Sequence, residues 1–245
     1  MIKKYIIFLF ILTFIHVLPL FSDNFDKNIH LYKKVAEYKK ILSKTPNNCE
    51  IIRNLAITYG RLSLYKKANE CCLKLCELEP DNSRFRYNLG WTYQKLNMIK
   101  KAIKEYKKAI SGEDKNESYF YNLSIALSEL KKFDEAYEIT LNGLKFFPKS
   151  PKLLLAHSDT LMNLKKYREA IKYANSSLEV YPNYYNAYYN LAILYTKLKD
   201  NKKAIEYLKK CTVLDSNTLK YISEDDDLKI LLKCKDMEQL KTNHN

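Results

Sequence analysis

The sequence predicts an all-α chain, a solenoid of antiparallel helix pairs added one after another. Three observations predict it. Ala68, Ala102, Ala136, Ala170 and Ala204 recur at 34-residue intervals without a slip. Leu62, Leu96, Leu130, Leu164 and Leu198 keep the same interval, each six residues earlier, and Ala56, Gly90, Ser124, Ser158 and Ala192 form a third column that is small in every copy. A period of this length marks a repeat array, in which each unit is one supersecondary element that buries its apolar face against its neighbours. The low content of chain breakers, 4 glycines and 6 prolines in 245 residues, suits a helical array.

Each segment follows from this frame. Residues 1–22 have the layout of a secretory signal peptide: Lys3 and Lys4, then an apolar run from Tyr5 to Phe21, then the polar Asp23, Asn24 and Asp26. Cleavage after Ser22 is the expected outcome, although Leu20 is bulky for a small-x-small site, and a retained single-pass anchor is the alternative. Pro19 and the short run disfavour a spanning helix. Within 23–48, Leu31, Val35, Tyr38, Ile41 and Leu42 recur at helical spacing over Asn28 to Ser43. Pro46 then falls in register with Pro80, Pro148 and Pro182. This segment is expected to be the second helix of a half-repeat that caps the array. Five full units follow at 49–82, 83–116, 117–150, 151–184 and 185–218, each read as two helices, with Asp114 and Ser216 at the two stations that lack proline. The prolines stand just past the second helix and stop it. Residues 219–245 break the period and are read as a helical cap and tail. Helix starts are expected near Thr218 and at the Asp225-Asp226-Asp227 group, and an Asp236/Gln239 capping box before Met237 and Leu240.

Composition removes several function classes. The net charge of +14 would suit nucleic acid, acidic proteins or anionic lipid. Yet the lysines fall in pairs such as Lys66-Lys67, Lys100-Lys101 and Lys202-Lys203, as on a solvated face, and there is no arginine-rich arm. Nucleic acid is therefore not an expected partner. The six cysteines (Cys49, Cys71, Cys72, Cys76, Cys211 and Cys234) form no C-x-x-C pair, which argues against zinc and dithiol chemistry. Most read as core thiols, while Cys49 and Cys76 sit where an oxidising compartment could bridge them. No Ser-His-Asp set, glycine-rich phosphate loop or metal-ligand cluster is present, so neither catalysis nor a cofactor is expected.

The pattern resembles the tetratricopeptide repeat (TPR). Its marks are Leu89, Gly90, Tyr93, Ala102, Tyr106 and Ala109 in the second unit, and Tyr188, Leu191, Ala192, Tyr195 and Ala204 in the fifth. Departures are Asp114 for proline, Leu75 at a normally small site, and His157 where other copies have leucine. The resemblance covers about residues 28–218 and implies a TPR-type right-handed superhelix whose first helices line a concave groove. On that face it places Arg53, Asn54, Tyr87, Asn88, Tyr121, Asn122, Tyr189 and Asn190, with Trp91 one turn beyond Tyr87; Leu155 and Ala156 interrupt the Tyr-Asn series. An asparagine ladder can pair with the backbone of an extended peptide, and tyrosines add stacking area. A carboxylate clamp is disfavoured, because only Arg53 and Asn88 fit it, while Ile57, Ser118 and Asn122 do not. His157 is expected in the core with a hydrogen-bond partner.

The expected function is thus a non-catalytic, cofactor-free scaffold that binds a peptide or partner protein in its groove. It is expected outside the cytoplasm, periplasmic or secreted, with any membrane association running through residues 1–22. The alternative is a self-assembling structural component of an envelope complex, and the less favoured one is nucleic-acid binding through the basic outer face.

Overall fold

A computed structural model describes residues 28–234 and Met237. The signal-peptide reading of residues 1–22 and the Asp236/Gln239 capping box lie outside the described residues. Among the described residues there is no strand. A helix α1 (28–42) is followed by the pairs α2 (Cys49–Arg61) and α3 (Tyr65–Leu78), α4 (Ser83–Lys95) and α5 (Ile99–Ser111), α6 (Glu117–Glu129) and α7 (Phe133–Phe146), α8 (Pro151–Asn163) and α9 (Tyr167–Val180), and α10 (Tyr185–Lys197) and α11 (Asn201–Leu214). A short helix α12 (Thr218–Glu224) and a 3-10 turn (Lys229–Lys233) end the described chain. The order is that of a TPR-type α-solenoid. The chain divides into two compact units, one ending at Lys101 and one beginning at Ala102.

Every turn between paired helices has one design. The leucine column is the C-cap of each first helix, at Leu62, Leu96, Leu130, Leu164 and Leu198. The next residue is left-handed in all five copies: Ser63, Asn97, Lys131, Lys165 and Lys199 have φ of 56, 58, 58, 61 and 63°. Each donates its N–H to the carbonyl three residues before it (Lys165 to Met162 O, 2.9 Å), and the following residue donates to the carbonyl five before it (Lys166 to Leu161 O, 2.9 Å). This is the Schellman motif, which satisfies the last carbonyls of a helix and reverses the chain in three residues. Glycine is the usual left-handed residue; here none is used.

A second column starts the first helices. The side chains of Asn48, Asn82, Asn116 and Ser150 each accept from a backbone N–H two or three residues ahead, as N-caps do. The fifth station holds Tyr184, which makes no side-chain cap.

The small columns are the helix contacts. All five period-setting alanines are fully buried, as are Ser158 and Ala192. In the fourth pair the Ser158 hydroxyl donates to the Ala170 carbonyl at 2.9 Å, backbone reached directly because neither residue has bulk between the helices. Leu75 is accommodated by its neighbours: it packs with Ile52 and Phe85, whereas the matching station in the third repeat, Gly143, faces the larger Phe120. A Cβ on Gly143 would stand 2.9 Å from Phe120 Cβ.

Both ends of the array are covered. In the first unit, Val35 of α1 packs with Leu55, Tyr59 and Ala68. In the second, Ile222, Leu228, Leu231 and Met237 close over Ala192, Ala204, Ile205 and Leu208. Asp225 is the C-cap of α12, not a helix start, and its Oδ1 accepts from Asp227 N and Leu228 N to turn the chain into the 3-10 segment. None of the six cysteines is joined in a disulfide. The lysine pairs Lys66-Lys67, Lys100-Lys101 and Lys202-Lys203 are exposed.

His157 lies fully buried on α8, between the rings of Tyr137 (4.9 Å) and Tyr173 (4.4 Å). Its Nδ1 is 2.7 Å from Thr140 Oγ1, which also lies 3.0 Å from the Ala136 carbonyl. The network assigns the proton to Nδ1: Thr140 donates to the carbonyl and accepts from the imidazole. Nε2 is then a buried lone pair with no partner. Burial, with Lys166 adding to it, pushes the imidazole down to about 4.

Two outcomes follow from this packing. Lys165→Gly removes a left-handed non-glycine residue on an exposed turn and should raise stability by about 1 kcal/mol in chemical denaturation. His157→Leu should also stabilise. Because the folded imidazole titrates below its unfolded value, its neutral burial supports the fold fully above pH ~6.5 and loses on the order of 3 kcal/mol as pH falls towards 4. The gap between variant and parent should therefore widen from pH 7 to pH 4.5 in paired denaturation curves.

Candidate functional site

The first helices carry two clefts, one in each unit. In the first unit the cleft lies between α2 and α4, has a volume of about 390 Å³, and is lined by Ile57, Gly60, Arg61, Tyr87, Asn88 and Trp91. Gly60 leaves room for the indole: a Cβ there would meet the Trp91 ring at 3.3 Å. Tyr65 packs edge-on to the same ring at 5.9 Å, and Lys95 Nζ sits 5.7 Å from its centre. The cleft is a slot with an indole, a phenol ring and an amide, suited to an apolar side chain beside a backbone amide. Three sequence-selected residues, Tyr87, Asn88 and Trp91, meet here. Arg53 and Asn54 are half-buried on α2 and do not line it.

The cleft of the second unit spans three first helices. Tyr121 comes from α6, Ala156 and Asp159 from α8, and Tyr189 and Asn190 from α10, with Tyr184 at the head of α10; the volume is about 180 Å³. Tyr121, Tyr189 and Asn190 were selected from the sequence, and Asn122 is half-buried on α6 outside the cleft lining. Asn190 is buried, and its amide is turned onto protein. Its Oδ1 lies 2.9 Å from the Ser158 hydroxyl, whose one proton is shared between that oxygen and the Ala170 carbonyl, and its Nδ2 donates a short hydrogen bond to Asp159 Oδ1. Tyr189 is held from both sides, stacked on Tyr185 at 5.9 Å and donating its hydroxyl to Asp225 Oδ2 at 2.9 Å.

Asp159 is the electrostatic centre of this cleft. Crowding by the surrounding protein pushes its carboxyl up to about 7, against the lowering effect of the Asn190 amide. Solvent still reaches the side chain through the open cleft, so the push comes from the crowded walls rather than from full enclosure. Burial raises the phenols of Tyr121 and Tyr184, and the Asp159 charge adds to both, keeping their protons on. Among the described residues no lysine or arginine forms an ion pair with Asp159, and no group of three or more His, Cys, Asp or Glu is placed to hold a metal.

Asp159 and Tyr184 were not selected from the sequence, yet a signal was there. Asp159 occupies a station filled elsewhere by Ile57, Trp91, Ile125 and Ile193, and Tyr184 occupies the N-cap station of Asn48, Asn82, Asn116 and Ser150. Each is the departure from its column.

The clefts lie on the first helices of a repeat-built, all-α fold. Models of the tetratricopeptide repeat match residues 151–184, 185–218 and 71–104. The chain carries tetratricopeptide repeats. No curated protein matches it by sequence. Among solved structures it is similar to YrrB, described as a TPR protein with an unusual peptide-binding site (20% identity, 75% of this chain and 96% of that one, TM-score 0.58). It is similar to PilF of Pseudomonas aeruginosa (19% identity, 80% and 97%, TM-score 0.61) and to a chain of the Cut9–Hcn1 assembly of the APC/C (17% identity, 89% and 42%, TM-score 0.70). These likenesses are of fold.

The raised Asp159 carboxyl makes a testable statement about cost. A carboxyl raised on folding supports the fold when protonated, below its unfolded value near 4, and that support is lost as pH rises through about 7. Asp159→Asn keeps the amide partner and should be more stable than the parent at pH 8, with the difference vanishing near pH 4, as read from melting temperatures across that range.

Proposed function

We propose that the chain is a non-catalytic scaffold that holds an extended segment of a partner protein along its first helices. The observation that carries this reading is that aromatic and amide side chains of successive first helices converge on open clefts, Tyr87, Asn88 and Trp91 in one unit and Tyr121, Tyr189 and Asn190 in the other. An extended segment running across such helices presents alternate side chains to the slots and, in the first unit, its backbone to the Asn88 amide. The likeness to YrrB, itself described as having a peptide-binding site, supports a peptide as the bound form. We further propose that the chain acts outside the cytoplasm, on the strength of Lys3, Lys4 and the apolar run that ends at Phe21. Self-assembly into an envelope complex is the competing reading, and it needs no cleft. Among the described residues no helix is long and apolar enough to cross a membrane.

The test is an affinity capture from the envelope fraction of the source cells, with Asn88→Ala, Trp91→Ala and Tyr121→Ala combined in a second bait. The expected result is a partner retained by the parent and lost by the variant, with an unchanged melting curve and oligomeric state. Capture that survives the triple change while self-association is lost would favour the structural reading. The N-terminus of the mature chain, read by mass spectrometry, should begin after Ser22; an intact Met1 end in the cytoplasmic fraction would overturn export.

A further inference from the structure

We infer that the cleft formed by α6, α8 and α10 is a receptor for an alkylammonium group. Within the scaffold reading, on which this last step rests, that group is the side chain of a lysine in the bound segment. The first argument is charge. The chain has 42 lysines and arginines against 28 acids, and ion pairs with lysine engage Glu105, Glu135, Asp200, Glu206, Asp226 and Asp227 of the second unit. Asp159, set among protein walls, has a neutral amide instead. Among the described residues other acids of this unit also form no ion pair with lysine, but Asp159 is the one acid that lines this cleft, where a cation from outside can reach it.

The second argument is the lining. Tyr121, Tyr184 and Tyr189 surround the acid, and a cation is drawn to phenol faces as well as to their oxygens. Tyr189 is already fixed by Tyr185 and Asp225, so this wall is ordered before a ligand binds. The third argument selects the cation. Asn190 takes Oδ1 of Asp159, which leaves Oδ2 as the acceptor. A guanidinium prefers both oxygens of a carboxylate in a fork, whereas an ammonium is a compact charge that needs one and can give its other protons to hydroxyls.

The fourth argument comes from the repeat itself. Leu155 stands where three other copies have tyrosine, Ala156 where the other four have asparagine, Asp159 where they have large apolar residues, and Tyr184 where they have a short capping side chain. All four line this one cleft. Ala156 clears its floor, Asp159 charges it, and Tyr184 gives up a helix cap to wall it.

The test uses the full mature chain with 13C-labelled tyrosine rings, titrated with n-butylammonium and, separately, with n-butanol, butyrate and n-butylguanidinium. Butylammonium should shift the Tyr121, Tyr184 and Tyr189 ring signals saturably, with a dissociation constant in the millimolar range, while butanol and butyrate leave them in place. Asp159→Asn should weaken that binding by about tenfold without lowering the melting temperature. Ala156→Asn, which fills the floor and leaves the charge, should abolish it. Equal shifts with butanol, tighter binding of butylguanidinium, or an unchanged affinity in Asp159→Asn would each overturn the inference. Butylammonium binding in a chain that captures no partner would uphold the cleft and count against the scaffold alone; capture with a cleft silent to butylammonium would do the reverse.

Discussion

The structure depends on one contact repeated at a fixed interval: a fully buried alanine on each second helix where the paired helix comes close. A methyl side chain there allows near-backbone approach, and anything larger would force the pair apart at a cost of about 1–3 kcal/mol. The approach also dictates the turn. Two helices that close cannot be joined by a wandering loop, and the five left-handed C′ residues with their doubled hydrogen bonds reverse the chain in the shortest well-satisfied way. Contact and turn together fix the rotation of each first helix, and therefore which of its side chains line a cleft.

Within that frame the fourth repeat differs in kind. Its core station carries His157 where leucine stands in the other copies, held by Thr140 on one nitrogen and unmatched on the other. Its surface stations carry Leu155, Ala156 and Asp159, and the next helix begins with Tyr184 in place of a cap. Each of these choices is locally unfavourable: a buried imidazole without its second partner, a carboxylate crowded by protein, a helix start left uncapped. Such choices gather where a protein gives up stability for a site, and the surface ones meet in a single cleft.

Much of this was legible in the sequence because packing repeats. The alanine and small-residue columns announced the helix pairs, and the prolines their ends. The TPR resemblance placed Tyr87, Asn88, Trp91, Tyr121, Tyr189 and Asn190 on one face of the first helices, and all six line the clefts there. What register could not show was which neighbours each side chain would choose. Asn190 reads as a rung like Asn88, yet its amide is spent on Ser158 and Asp159, because Ser158 in the small column has a hydroxyl that Ala56, Gly90 and Ala192 lack. Asp225 reads as a helix start and is instead a turn that also receives Tyr189. Asp159 and Tyr184 depart from their columns, and are informative for breaking the period rather than keeping it.

The most direct measurement restores the period where it is broken. A chain carrying Leu155→Tyr, Ala156→Asn, Asp159→Ile and Tyr184→Asn has the regular residues at all four cleft stations, and its unfolding midpoint in denaturant can be set beside partner capture by the same preparation. If the departures serve the cleft at the expense of the fold, this chain unfolds at a higher denaturant concentration than the parent and captures no partner. A chain that is less stable than the parent, or one that captures the partner undiminished, would contradict that account.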